Sequence, residues 1–214
     1  MRVLPTISTL ILLRHGQSIW NGENPRFTGW CDVPLTAKGR VEAVGAGQLR
    51  SRGFRAANVY VAFTSELQRA HETCELALAS MAGHRQDTWS PERIRRDARL
   101  NERHYGAVQG YRKDDAGLLA AHGEESIRGW RRSMHGKPPP LDADHPEWRP
   151  PPAPTGESLA DCQRRVLECF RESISPTLFE EAQAALVLMG LDQVPDDNVP
   201  NLHVPNSVPI LYRF

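Results

Sequence analysis

The sequence has little that would tie it to a membrane, a metal or an oxidising compartment. No stretch approaches the roughly 18 consecutive apolar residues that a membrane-spanning helix needs. The opening MRVLPTISTL has neither the longer apolar region nor the small-residue cleavage site of a secretion signal. A soluble, cytoplasmic protein is therefore expected. The four cysteines, Cys31, Cys74, Cys162 and Cys169, include no Cys-x-x-Cys pair and are sparse for a disulfide scaffold, so reduced, packed thiols are expected. Eight histidines are scattered without zinc-type spacing, and no metal is expected. An excess of charge is missing too. The 26 basic and 26 acidic side chains cancel, so no global field draws the chain toward nucleic acid or an anionic membrane. Any anion site must be local.

What is present is alternation. At 214 residues the chain fits one domain, 1–214, with a substantial core. Thr9 to Leu13 is a β-branched and aliphatic run, consistent with a strand buried on both faces of a parallel sheet. A helix comes next, with Thr36 as its N-cap, Val41, Val44 and Leu49 at roughly helical spacing, and a stop near Gly53. The order then repeats. Val59, Val61 and Phe63 read as a strand, Ser65 as a cap, and Leu67, Ala70, Cys74, Leu76 and Leu78 as part of an apolar helical face. Strand and helix in alternation predict an α/β fold: three layers, with a mostly parallel central sheet flanked by helices. Between about 105 and 155 the pattern loosens and prolines crowd, which reads as an irregular cap or lid. Helical periodicity returns over 158–179 through Leu159, Cys162, Val166, Phe170 and Ile174, and HVPNSVPILYRF reads as a loop and a short strand. No internal repeat is found.

In LILLRHGQSIWN an apolar run stops at an arginine, a histidine and a glycine rather than at ordinary turn residues. Ligands of open α/β sheets bind beyond the carboxyl ends of strands, where Arg14, His15 and the 64–69 segment fall. A histidine with one ring nitrogen fixed by a hydrogen bond is a competent nucleophile toward phosphorus. Arginine's rigid fork suits tetrahedral oxyanions. Arg14 and Arg69 are placed for that by topology, and Arg131 with Arg132 could join them from the cap. In RLNERHYG, Glu102 could accept and return a hydroxyl proton. Taken alone, it reads better as a surface glutamate paired with Arg99 or Arg103.

The motifs LLRHGQSIWN, RFTGWCDVPLTAKG, FTSELQRAHET, RLNERHYGAVQGYRK, WRRS and GESL, in this order, resemble the cofactor-dependent phosphoglycerate mutases of the histidine phosphatase superfamily. The resemblance spans most of the chain from Leu10 to Tyr212, and LNERHYG and TGW separate the mutase branch from general phosphatases. It implies that His15 becomes a phosphohistidine, that Arg14 and Arg69 hold the phosphoryl oxygens, and that Glu102 is proton donor and acceptor. Asn21 would also contact the transferred group. Thr28 and Gly29 would face the substrate carboxylate end, and Tyr105, Lys113, Arg131 and Arg132 would bind the distal phosphate or carboxylate. The implied reaction moves phosphate between 3-phosphoglycerate and 2-phosphoglycerate through His15. 2,3-Bisphosphoglycerate is the implied primer, no metal is needed, and the implied assembly is a homodimer or homotetramer. A serine often stands at the place of Thr28 and a glutamate at that of Gln17.

One family feature is absent. A second histidine, in an Ala-His-Gly-Asn-Ser-like motif after another central strand, has no match here. After SISPTLFEEAQ the chain runs into AALVLMGLDQVPDDNVPNLHVPNSVPILYRF, which resembles the family's sequence on the carboxyl side of that motif. If the polypeptide lacks the segment, the sheet loses a central strand and its neighbours expose unpaired backbone groups. At least one transition-state donor would go as well, costing about 10²- to 10³-fold. The competing explanation is that residues are missing from the sequence as written. His203 aligns with a connection before the last strand rather than with the missing motif. The alternatives to a mutase are a histidine phosphatase of the same superfamily and a relative that binds phosphometabolites without turnover.

Overall fold

The structure, a computed structural model, describes residues 9–53, 55–82, 90–180, 184–188 and 206–213. Five strands form one sheet: β1 (Thr9–Leu13), β2 (Val59–Thr64), β3 (Ile94–Arg96), β4 (Ala184–Leu188) and β5 (Ile210–Arg213), in the order β3-β2-β4-β1-β5. β4 pairs in parallel with β1 on one side and β2 on the other, β3 continues in parallel beyond β2, and β5 closes the β1 edge antiparallel. This corrects the expected loss of a central strand. Thr9↔Ala184 through Leu13↔Leu188 on one side and Ala62↔Leu186 through Thr64↔Leu188 on the other are ladders made by the very AALVL that resembles post-motif sequence. Two parallel strands with open edges accept any short apolar run that can bond both.

The two faces of the sheet carry separate cores. Ile11, Leu13, Val59 and Ala62 pack with Cys74, Ala77, Leu78 and Met81 of α2 (Gln68–Ala82). On the other side Leu10, Val61 and Phe63 pack with Cys169, Ile174 and Leu178. A register shift between Val59 and Val61 turns Val59 to the α2 face, breaking the simple alternation. The second layer is α4 (Leu159–Cys169), opened by a Ser158–Asp161 capping box, then one wider π-type turn (Phe170–Ile174) leading into α5 (Ser175–Glu180). No helix among the described residues is long and apolar enough to cross a membrane.

α1 (Ala37–Gly45) is capped by Thr36, whose hydroxyl accepts from Gly39 N at 3.0 Å. Its buried face is not the expected valine stripe. Gly39 and Ala43 are buried while Val41 and Val44 are exposed. The cause is close approach: a Cβ on Gly16 would run into Gly39 O, and one on Gly39 into Gln17 O, so only small residues fit between α1 and the turn after β1. α2 has a cap 36 residues upstream. Gln68 N donates to Asp32 Oδ1 (2.7 Å), while Ser65 Oγ accepts from Leu67 N in the turn leading in.

The 105–155 stretch contains a helix, α3 (Ala116–Arg132), capped by Asp115 and bent at Gly123, where φ is +75°. Its Leu118, Ile127 and Trp130 build a third cluster with Phe27, Tyr105 and Val108. The small and polar AAHGEES between those apolar positions hid the periodicity. His104, on the buried segment leading to this cluster, accepts from Gly106 N through Nδ1 (2.9 Å), and its own N–H donates to Glu157 Oε2 (2.8 Å). Burial first, then Arg165 and Arg149, push its pKa down from 6.5 to about 4.

Gly39→Ala is expected to lower stability by about 1–3 kcal/mol because the backbone must move, whereas Gly45→Ala, whose Cβ meets nothing within 4 Å, should be neutral or gain up to about 1 kcal/mol. Urea midpoints read both. His104 stays neutral when folded yet charges near pH 6.5 when unfolded, so the folded state binds fewer protons between pH 6.5 and 4. Stability is full above that window and declines by up to about 3 kcal/mol as pH falls through it. His104→Asn keeps an acceptor for Gly106 N and should remove about one proton from that slope.

Candidate active site

The turn after β1 is fixed before any ligand arrives. His15 is 2 % exposed, and its Nδ1–H donates to Gly16 O at 2.7 Å, a tautomer that puts the lone pair on Nε2. Gly16 N donates to Thr73 Oγ1 (3.1 Å), and that hydroxyl donates to Arg69 O (2.7 Å), so the histidine turn is stitched to the first turns of α2. Ser207 N reaches back to Arg14 O at 3.0 Å. Asn21 accepts from Ser18 N through Oδ1 (2.7 Å), closing the loop on itself.

Arg69 is 1 % exposed and is held on three sides. Its Nη1 donates to Cys31 O (2.9 Å), and its Nη2 to Gly29 O (2.8 Å) and to Glu102 Oε2 (2.9 Å). Glu102 is equally buried, so its ion-pair partner is Arg69, 33 residues upstream, and not the neighbouring Arg99 or Arg103. Arg99 pairs instead with Asp97 and Glu172. Removing one partner of such a buried pair costs about 3–5 kcal/mol, since the other charge is stranded. The loop carrying Thr28 and Gly29 lies over the pair: Trp30 Nε1 donates to Glu102 O (2.8 Å), and Gln109 Oε1 accepts from Trp30 N and Tyr105 N. Gly29 has φ +52°, and a Cβ there would collide with Gln109 Oε1. Thr28 is buried, its hydroxyl 3.4 Å from Arg26 O. Burial pushes the Cys31 thiol up to about 12, so it stays a packed, neutral group.

The cap residues fall into two groups. Tyr105 is buried against Phe27, and its hydroxyl accepts from Arg103 Nη2, which also donates to Arg131 O. Lys113 joins the same region by its backbone, donating to Pro25 O. The side chains of Lys113 and Arg131 are half-buried, and Arg132 is exposed at the end of α3. None of these three cations has an ion-pair partner among the described residues. Arg103 went unrecognised in the sequence although it sits inside RLNERHYG. It is 4 % exposed, and its Nη1 has no hydrogen-bond partner among the described residues. Glu157 and Arg165, whose bidentate pair (2.7 and 2.8 Å) backs the Glu102 segment, also went unassigned; only the GESL motif hinted at Glu157. His203 lies outside the described residues, as does all of 189–205 after β4. Among the described residues no group of His, Cys, Asp and Glu is gathered as a metal site.

Known proteins resemble this chain in sequence and in fold. The sequence model of the histidine phosphatase superfamily (branch 1) matches residues 10–187. The chain is 41 % identical over 221 aligned residues to a protein of Tropheryma whipplei (strain Twist) named 2,3-bisphosphoglycerate-dependent phosphoglycerate mutase, with 97 % of this chain and 94 % of that one covered. A Hydrogenobaculum protein of the same name is 37 % identical, covering 95 % and 86 %. Among solved structures, a mycobacterial glucosyl-3-phosphoglycerate phosphatase in complex with VO3 superposes with a TM-score of 0.63 at 23 % identity, over 95 % of this chain and 92 % of that one. A protein described as mycobacterial hydrolase 1 gives 0.61 at 23 %, over 97 % and 92 %. The structural likenesses speak to fold, and the sequence matches to descent: from β1 to β4, through His15, Arg69 and Glu102, this chain belongs to the histidine phosphatase superfamily, branch 1.

Proposed function

We propose that the chain interconverts 3-phosphoglycerate and 2-phosphoglycerate through a phosphate carried on His15, with 2,3-bisphosphoglycerate as primer. The observation that carries this reading is the buried Arg69–Glu102 pair, roofed by the 28–31 loop and stitched through Thr73 to the histidine turn. Two relatives at 37 and 41 % identity that bear the mutase name support it.

His15 Nε2 attacks phosphorus as the ester P–O bond breaks, and in the return step a substrate hydroxyl oxygen attacks while the N–P bond breaks. Arg14 and the remaining N–H groups of Arg69 bind the phosphoryl oxygens, with Asn21 beside them. They supply the positive field where charge develops. Glu102, its Oε2 held by Arg69, takes a proton from the attacking hydroxyl in one transfer and returns it to the departing alkoxide in the other. Thr28 and Gly29 line the carboxylate end. Lys113, Arg131, Arg132 and Arg103 Nη1, cationic donors without carboxylate partners among the described residues, take the distal phosphate or carboxylate together with Tyr105, whose hydroxyl holds Arg103. The same set fits the primer, whose two phosphates supply the first phosphoryl group and occupy both ends of the site. Residues 105–155 act as the cap of this single domain.

A second reading is a relative that holds phosphoglycerates with little turnover. Its support is that the family's second-histidine motif has no match in the chain, and that no histidine occurs between β4 and His203. A site short of one donor is expected to run about 10²- to 10³-fold below a relative that has it.

The test feeds 3-phosphoglycerate with a trace of 2,3-bisphosphoglycerate and tracks 2-phosphoglycerate against free phosphate by phosphorus NMR. The expected result is isomer formation ahead of phosphate release, lowered by at least about 10³-fold in His15→Ala. Rapid phosphate release without isomer would make the protein a phosphatase. Neither product would favour the binding relative.

A further inference from the structure

Arg165 lies on α4, far in sequence from the residues assigned to the chemistry, yet its guanidinium is wrapped by the segment that bears Glu102. Its Nη1 donates to Ala98 O (3.2 Å), Arg99 O (2.9 Å) and Asn101 O (3.1 Å), and its Nη2 to Glu102 O (3.3 Å). The opposite edge is clamped on Glu157, Nε to Oε1 at 2.8 Å and Nη2 to Oε2 at 2.7 Å. Glu157 in turn accepts from His104 N, so the pair grips the same segment on both sides of Glu102. The guanidinium also lies 5.5 Å from the Trp30 ring centroid, and Trp30 Nε1 is the other donor on Glu102 O.

Four carbonyls within five residues cannot all turn toward one point without a donor array there. A planar fork with five N–H groups supplies it, whereas an ammonium has three donors and no fixed plane. The carbonyl of Glu102 is fixed by two donors, its amide neighbourhood by the His104–Glu157 bond, and its carboxylate by Arg69. The direction of the carboxylate therefore depends on the backbone that Arg165 shapes.

We propose that Arg165, braced by Glu157, is the positioning residue of the proton-transfer carboxylate Glu102. This rests on the mutase reading of the site. Arg165 touches neither substrate nor the reacting atoms. It sets the place from which Glu102 meets the substrate oxygen, and displacement of about 1 Å there costs about 10²-fold in rate.

The leaving group separates positioning from general support. Phosphorylation of His15 by 2,3-bisphosphoglycerate expels an alkoxide that needs a proton, whereas p-nitrophenyl phosphate expels a stable phenolate that does not. In Arg165→Ala, phosphorylation by 2,3-bisphosphoglycerate and isomerisation kcat should fall about 10²-fold, with KM for 3-phosphoglycerate within about threefold. Transfer from p-nitrophenyl phosphate should stay near the parent rate. Added guanidinium ion should restore part of the lost kcat by refilling the vacated place. Arg165→Lys, which keeps the charge and loses the fork, covers the case in which Ala does not fold, and should show the same split at about tenfold. Parallel loss with both donors, or no loss with either, overturns the proposal. A parent protein that phosphorylates His15 but forms no 2-phosphoglycerate would defeat the mutase reading while leaving the contrast between the two donors to decide the role of Arg165.

Discussion

A guanidinium and a carboxylate taken out of water together are tolerated only when nearly every remaining donor and acceptor is satisfied, and the Arg69–Glu102 pair imposes that demand on everything around it. Two loop carbonyls, Gly29 O and Cys31 O, must face Arg69, which sets the shape of the 28–31 loop and requires positive φ at Gly29. The next residue, Asp32, then falls at the start of α2 and caps it. Trp30 lands on the Glu102 carbonyl, and Arg165 completes that carbonyl from behind. On the other side Thr73, one turn along α2, takes the amide of Gly16. Loop, helix and histidine turn are thus placed by one buried pair.

The sheet supplies the frame within which this can happen. β1 and β2 deliver His15 and the start of α2 past their carboxyl ends, and β4 between them keeps both ladders bonded. That a short Ala-Leu-Val run serves as the central strand explains how the fold persists without the family's usual strand sequence. Backbone pairing with β1 and β2 is what β4 brings to the scaffold.

Much of this was legible in the sequence because the signals are local. The β-branched runs at Thr9–Leu13 and Val59–Thr64, and Arg and His immediately beyond the first, derive from strand chemistry and sheet topology. The face of α1 was not legible, since Gly39 and Ala43 are buried by how closely a neighbour approaches, which composition does not encode. α3 was masked by its bend at Gly123. That Glu102 pairs with Arg69 was not legible, because a pair 33 residues apart leaves no trace in spacing. Arg165 and Glu157 escaped a role for the same reason. Their contacts are with carbonyls and an amide, and every residue type offers those equally.

The proposed function turns on one chemical event at one nitrogen, Nε2 of His15. Incubating the protein with 2,3-bisphosphoglycerate, digesting it at neutral pH and mapping phosphate by mass spectrometry tests that event directly. The account predicts one acid-labile phosphoryl group, on the peptide containing His15 and nowhere else. A protein that binds the bisphosphate yet carries no phosphate on His15, or carries it on another residue, would contradict it.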